Sequence, residues 1–290
     1  MNRPWVAIQR NPNSGSGRRT SLILDLVAAL KRVGLRPRVF SRRDRLDARM
    51  QDPEARANLV CIVAAGGDGT IADVVNRFPG QLICPFPLGT ENVLCKHLKI
   101  PPNGEVAAEL IARGKQRSFD LGRVDDRRFL MMAGIGFDGN IVHQVHAARH
   151  GNIGKSAYLK PLWQSTFNYH FPLSTVLFDD DPTPVKGSLV MVANLPCYAW
   201  GFPIVPHANG DDGLLDVVVF PDPGSLRLIG YGFDVMSGRH LQRDGIVFRR
   251  ARRIQLQSEL PVPVQTDGDP AGTTPCIIQV EPLAMRLVVP

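Results

Sequence analysis

Apolar positions fall in short runs separated by turns rich in glycine, proline and asparagine, and their spacing changes character partway along the chain. Trp5 to Gln9, Leu59 to Ala65 and Leu82 to Phe86 are nearly unbroken apolar runs, which suits strands buried on both faces of a sheet. Between and after them Leu22, Leu26, Ala29 and Leu30 recur at helical spacing, as do Ile71, Val74, Val75 and Phe78, and a helix holding Val93, Leu94 and Leu98 follows the third run. A strand around Pro37 to Phe40 and a charged segment from Arg42 to Arg56 fill the interval. Alternation of strands and helices predicts an α/β N-terminal domain: a parallel sheet flanked by helices, with a ligand crevice at the strand C-terminal ends.

From about Asp120 the pattern becomes β-like. Runs at Phe129–Ala133, Leu173–Phe178, Ser188–Ala193, Leu214–Phe220, Arg253–Leu256, Val262–Gln265, Cys276–Val280 and Met285–Val289 predict short strands. Helical spacing interrupts them after Gly139, near Ser156 to Tyr169 and near Leu226 to Ser237. The chain therefore divides into an α/β domain over 1–122 and a mainly antiparallel domain over 123–290, with the last residues free to return to the first domain.

A chain of 290 residues that is 44% hydrophobic can build two cores without metal or disulfide staples. No apolar run is long enough to cross a bilayer, and no secretory leader is visible, so a cytoplasmic protein is expected. The five cysteines, Cys61, Cys84, Cys95, Cys197 and Cys276, show no paired spacing and read as buried thiols. A formal charge of +7 suits an anionic partner but does not choose among nucleotide, phospholipid and nucleic acid.

The stretch Ala65-Gly66-Gly67-Asp68-Gly69-Thr70 stands where the Leu59 to Ala65 strand gives way to a helix. Amides of Gly66, Gly67 and Gly69 can approach an anion at a helix N-terminus. Thr70 is placed to cap that helix, with Asp73 completing a variant capping box. Asp68 would repel a phosphate unless a cation or an incoming proton compensates it, which points to metal-dependent or proton-taking chemistry. The bland alternative is a tight capped turn. Two further turns follow strands in the same way: Asn11-Pro12-Asn13-Ser14-Gly15, ahead of Arg18 and Arg19, and Pro87-Leu88-Gly89-Thr90-Glu91-Asn92.

Together with Gly134-Ile135-Gly136-Phe137-Asp138, Asp212-Gly213-Leu214-Leu215-Asp216 and Thr266-Asp267-Gly268-Asp269, these motifs resemble, in order, the diacylglycerol kinase catalytic family, which includes bacterial lipid kinases and sphingosine and ceramide kinases. The resemblance implies an ATP- and Mg2+-dependent lipid kinase whose N-terminal domain is similar to NAD kinases and phosphofructokinases, whose C-terminal domain is a β-sandwich, and whose active site lies in the cleft between them. By motif, Asn11, Pro12, Asn13, Ser14, Gly15, Gly66, Gly67, Asp68, Gly69, Thr70 and Thr90 are expected at the nucleotide phosphates. Asp212 is expected to ligate a structural cation with the carbonyls of Asn209 and Leu214. The expected partner is a lipid met by peripheral contact at the inner membrane face; no nucleic acid is expected, and a homodimer stays open.

Two departures from the family pattern bear on activity. The usual Asp-Gly-Glu is Asp267-Gly268-Asp269 here, one methylene shorter at the proposed base, and Val93 replaces the common Asp. Asp269 is the candidate base, Asp267 its rival and Asp68 the organiser of metal or phosphate, while the same Asp267 turn also reads as a plain hairpin. A soluble alcohol acceptor and a non-catalytic nucleotide- or lipid-binding role remain the alternatives. His143, His146 and His150 share a helical face and read as polar helix surface. The aromatic segment Tyr158 to Phe171 reads as core packing, with an acyl-chain entrance including Pro196 to Phe202 as the other reading. Arg249, Arg250, Arg252 and Arg253 read as a solvated strand edge or as an anionic-leaflet contact.

Overall fold

The computed structural model describes residues 4–12, 20–148, 161–163, 165–166, 168–179, 181, 183–196, 204–221 and 224–290. It divides into a first unit of Met1–Phe119 with Ala284–Pro290 and a second of Asp120–Leu283.

The first unit runs β1 (Trp5–Arg10), α1 (Thr20–Arg32), β2 (Arg36–Phe40), α2 (Arg43–Gln51), α3 (Pro53–Ala57), β3 (Leu59–Gly66), α4 (Asp68–Arg77), β4 (Leu82–Pro87), α5 (Val93–His97) and α6 (Gly104–Arg113). Its strands are parallel in the order β2-β1-β3-β4, and Arg286 and Leu287 near the chain end add a parallel pairing beside β4. The apolar runs are buried as the pattern requires: Val6, Ile8, Val63 and Phe86 pack under Leu26 and Leu30 of α1 and Ala107 and Ile111 of α6. α1 and α6 approach closely because Gly104 has no side chain; a Cβ there would lie 2.4 Å from the Leu26 amide nitrogen. Asn103 caps α6 by accepting from the Glu105 and Val106 amides at 2.9 and 3.2 Å, and Gly114 ends it at φ +66°.

The second unit contains the later part of β5 (Gln116–Val124), then β6 (Arg127–Phe129), β7 (Met132–Gly136), α7 (Phe137–Ala147), β8 (Ser174–Phe178), β9 (Val185–Gly187), β10 (Leu189–Ala193), β11 (Leu215–Phe220), α8 (Ser225–Met236), β12 (Val247–Ala251), β13 (Arg253–Ser258), β14 (Pro263–Thr266), β15 (Asp269–Thr273) and most of β16 (Cys276–Val288). One sheet has the order β12-β11-β10-β7-β14-β15. In the other, β16, β13, β8 and β9 pair antiparallel in succession. Ala133, Ile135, Val192, Val217 and Val264 of the first sheet meet Val176, Ile254, Leu256 and Ile278 of the second, which is the core of an antiparallel β-sandwich.

Three readings change. The Phe129 to Ala133 run splits into the end of β6 and the start of β7, and the two C-terminal runs are parts of one strand, β16. The chain enters the second unit at Asp120, which is wholly buried. Its carboxylate accepts from the Gly213 and Leu283 amides, both at 2.7 Å, and its own amide donates to the Gly210 carbonyl at 2.6 Å. Of the cysteines, Cys61, Cys84, Cys95 and Cys276 are free and buried, and burial pushes the Cys84 and Cys276 thiols up to about 12; Cys197 lies outside the described residues. Replacing Asp120 by Ala leaves two amides without an acceptor, and a thermal melt is expected to show destabilisation of about 2–4 kcal/mol.

Candidate functional site

Because β1, β3 and β4 are parallel neighbours, the turns that follow them emerge on one edge of the first unit's sheet. The backbone knits them together. Asn11 donates its amide to the Ala65 carbonyl at 3.2 Å, and Leu88 and Gly89 donate theirs to the Gly66 carbonyl at 2.8 and 3.1 Å. Gly67 and Gly89 touch main chain to main chain: a Cβ on Gly89 would lie 2.3 Å from the Gly67 Cα. Asn92, at φ +49°, closes the third turn by exchanging side-chain bonds with the Gly89 amide and carbonyl, both at 2.8 Å.

The glycine turn is tighter than its sequence suggests. Thr70 donates its amide to the Gly67 carbonyl at 2.9 Å, so α4 starts at Asp68 with Gly67 as its N-cap. Thr70 therefore lies inside the first turn and does not cap it. Its Oγ1 accepts from Asn11 Nδ2 at 3.4 Å. Asp73 forms no capping box either, since its carboxylate pairs with Arg77 at 2.9 Å and Arg43 at 3.3 Å. Gly69 occupies the second helical position, where an amide has no partner within the helix, and a Cβ there would meet open space.

Asp68 reaches across to the third turn. Its Oδ2 accepts from the Val93 amide at 2.9 Å and its Oδ1 from the Leu94 amide at 3.1 Å. Asn92 makes no side-chain cap at α5, so Asp68 supplies that cap from another element. Burial raises the Asp68 pKa, opposed by the two donated bonds. Asn11 and Pro12 lie at the end of β1, and Thr90 is exposed in the third turn. Asn13, Ser14 and Gly15 lie outside the described residues.

In the second unit, Thr266 and Asp269 pair across a two-residue hairpin turn whose central Asp267 and Gly268 have φ of +49° and +85°. Asp267 points inward: its carboxylate accepts from the Leu130, Met131 and Met132 amides at 2.6, 2.9 and 3.0 Å. Asp269 remains partly exposed, 3.1 Å from Arg127 Nη2 and 3.1 Å from His146 Nε2. α7 brings His146 there because Gly139 lets the helix rest on β14; a Cβ at Gly139 would be 2.2 Å from the Pro263 carbonyl oxygen. His143 binds the Val264 carbonyl at 2.9 Å on the same face. These two histidines therefore face the hairpin and are not polar surface, while His150 lies outside the described residues. The sequence places neither Arg127 nor His146 beside Asp269; its one signal is the three-residue spacing of His143 and His146.

The expected structural cation site has a different occupant. Asp212 accepts from the Leu214 amide at 3.1 Å and is ion-paired with Arg250. Strand register fixes that arginine, which lies directly across from Asp216 on β11, with Nε 3.5 Å from the Asp216 carboxylate. Asp216 is buried, and its pKa is raised by that burial, with Arg250 opposing. Of the expected cation ligands Asn209, Asp212 and Leu214, the Asp212 carboxylate already carries the Arg250 guanidinium, with which a bound cation would share it. Among the described residues no group of three or more His, Cys, Asp or Glu is placed to hold a metal.

Of the aromatic segment, Leu162, Tyr169 and Phe171 pack with Phe137 and Ile141, whereas Trp163 is exposed. Tyr158, Leu159, Phe167 and residues 197–202 lie outside the described residues. Arg249 and Arg250 lie on β12, an end strand of its sheet.

An α/β unit with three interlocked strand-end turns, followed by a β-sandwich of the NAD kinase kind, defines a kinase-class architecture. Residues 6–124 match the diacylglycerol kinase catalytic domain, and residues 132–289, more than half of the chain, match the YegS C-terminal NAD kinase beta sandwich-like domain. The chain belongs to the diacylglycerol kinase family. It is 26% identical over 296 residues to a diacylglycerol kinase of Mycobacterium tuberculosis, covering 98% of this chain and 95% of that protein. Identity to a Staphylococcus haemolyticus diacylglycerol kinase is 23% over 279 residues, covering 94% and 84%. Its fold is similar to that of a diacylglycerol kinase from Bacillus anthracis str. Sterne, with a TM-score of 0.74 at 23% identity over 99% of this chain and 97% of that one.

Asp68→Ala is expected to cost about 1–3 kcal/mol in a thermal melt by orphaning the Val93 and Leu94 amides, and to abolish any ATP-dependent rise in melting temperature. Arg250 has its own test. Chelation by EDTA should leave the wild-type melting temperature unchanged, whereas Arg250→Ala should melt lower and regain stability with millimolar Mg2+ or Ca2+.

Proposed function

We propose that this protein is an ATP- and Mg2+-dependent lipid kinase that transfers the γ-phosphoryl group to a hydroxyl of diacylglycerol or a related lipid. The observation that carries this reading is the interlocking of the three strand-end turns, which places Gly69 in the first turn of a helix, where an amide has no partner within the helix and no side chain covers the turn. Amides of Gly67 and Gly69 would bind phosphate oxygens, with Thr70, Asn11, Pro12 and Thr90 at the margins and Asn13, Ser14 and Gly15 completing the first turn. Mg2+ in such sites is held largely by substrate phosphates and water, with one or two carboxylates, and supplies charge neutralisation. Asp68, at the first position of α4, is the carboxylate of this turn, and its two amide bonds make it a strut before anything else.

Transfer requires the acceptor oxygen to bond to the γ-phosphorus as the bond to the β-phosphate oxygen breaks, with ADP leaving and the hydroxyl proton passing to a base. Asp269 is assigned that role. Asp267 is not, because three amides saturate its carboxylate and hold it inward. His146 and Arg127 position Asp269: the imidazole orients one oxygen and the guanidinium anchors the other. In this reading the protein meets its lipid by peripheral contact; no helix among the described residues is long and apolar enough to cross a membrane. One observation favours a non-catalytic member of the family: both oxygens of the Asp269 carboxylate are already engaged, by Arg127 and by His146.

A panel of acceptors with labelled ATP and Mg2+ separates these readings. Diacylglycerol in mixed micelles should be phosphorylated and soluble alcohols should not. Asp269→Asn should lower kcat by about 10²–10⁴-fold with ATP affinity retained. Full activity of Asp269→Asn would remove the base assignment, and ATP binding without turnover of any acceptor would favour the non-catalytic member.

A further inference from the structure

α8 carries two apolar faces, and among the described residues only one is packed inside the fold. Tyr231 and Val235 are buried on the inner face, where Tyr231 packs on Phe220 with ring centroids 5.0 Å apart, and Leu228 packs against the cluster containing Phe137 and Ile141. On the outer face Leu226, Ile229, Phe233 and Met236 follow one another at helical spacing and are 83, 41, 68 and 64% exposed. Four large apolar side chains in one exposed stripe exceed the scattered apolar residues normal to a protein surface.

The charge around this stripe selects its partner. Residues 224–253 contain seven arginines and no lysine or glutamate, against two aspartates, Asp234 and Asp244. Arg243 is ion-paired with Asp234 and Arg250 with Asp212 and Asp216, so the basic excess is carried by residues such as Arg239, Arg249, Arg252 and Arg253. A strongly basic, acid-poor segment bearing an exposed apolar helix face matches an anionic bilayer surface, where apolar side chains enter the headgroup boundary and arginines meet lipid phosphates. With 12 residues, α8 is too short to span a bilayer and long enough to lie in its plane.

We infer that α8 is a membrane-docking helix, seating Leu226, Ile229, Phe233 and Met236 in an anionic lipid surface. The lipid-kinase reading supplies a reason for such a helix, since a diacylglycerol acceptor resides in the bilayer. Docking itself rests on the helix face and its charge.

The test is sedimentation of the full chain, without ATP, with vesicles of phosphatidylcholine alone or mixed with phosphatidylglycerol. Wild-type protein should sediment with the mixed vesicles and not with phosphatidylcholine alone. A variant combining Leu226→Gln, Phe233→Gln and Met236→Gln should keep its melting temperature and bind at least about tenfold more weakly. Phe233→Trp, which preserves the apolar face, should bind like wild type and gain blue-shifted emission on the mixed vesicles, so the inference stays testable if the triple variant misfolds. Failure of the wild type to sediment, or unchanged binding by a folded triple variant, would overturn it. So would a wild-type dimer that the triple substitution converts to a monomer without loss of vesicle binding, which would assign the face to a second copy. Turnover of detergent-dispersed diacylglycerol is measured in parallel: its absence in wild type refutes the kinase reading and leaves the sedimentation result standing.

Discussion

The two hydrogen bonds from the Val93 and Leu94 amides to Asp68 join the glycine turn to the turn after β4, and the candidate phosphate cradle depends on them. A carboxylate beside an anion site is normally a liability. Here its charge is spent on a neighbouring helix start: it accepts both first-turn amides of α5 while its own backbone begins α4. Burial raises its pKa, and the Val93 and Leu94 amide bonds oppose that by favouring the charged form. The direct main-chain contact of Gly67 and Gly89 leaves no room for a side chain between them, so backbone packing adds to the Asp68 bonds in holding these turns together.

The second unit divides its hairpin carboxylates between structure and chemistry. Asp267 occupies the left-handed position of the turn and spends its oxygens on three amides of the segment leading into β7. That fixes the turn and leaves the next carboxylate, Asp269, partly exposed between Arg127 and His146. Arg250 is a further case of charge settled inside the chain, because strand register sets it against Asp216 and lets it reach Asp212.

Much of the first unit was legible because its strands are continuous apolar runs ending in glycine-bearing turns, a pattern with few other solutions. Thr70 is not the cap because a bond from its amide back to Gly67 starts the helix three residues earlier, a backbone detail that side-chain identities do not report. α2 left little trace, since only Leu46 and Met50 of its nine residues are buried. Ordered motifs in the sequence located the Asp267 hairpin and the glycine turns. They could not locate His146 beside Asp269, which requires α7 to lie on β14, or Arg250 on Asp212, which requires the register of β11 and β12. Contacts of that kind are made by packing between segments far apart in the chain.

Selective 15N-glycine labelling of the full chain, with the amide spectrum followed through a titration with Mg2+ and a non-hydrolysable ATP analogue, bears most directly on the cradle. The account predicts large, saturable shifts for Gly67 and Gly69, with the glycines of the second unit's strand turns, such as Gly272, unmoved. A saturating nucleotide that leaves the Gly67 and Gly69 amides in place would contradict it.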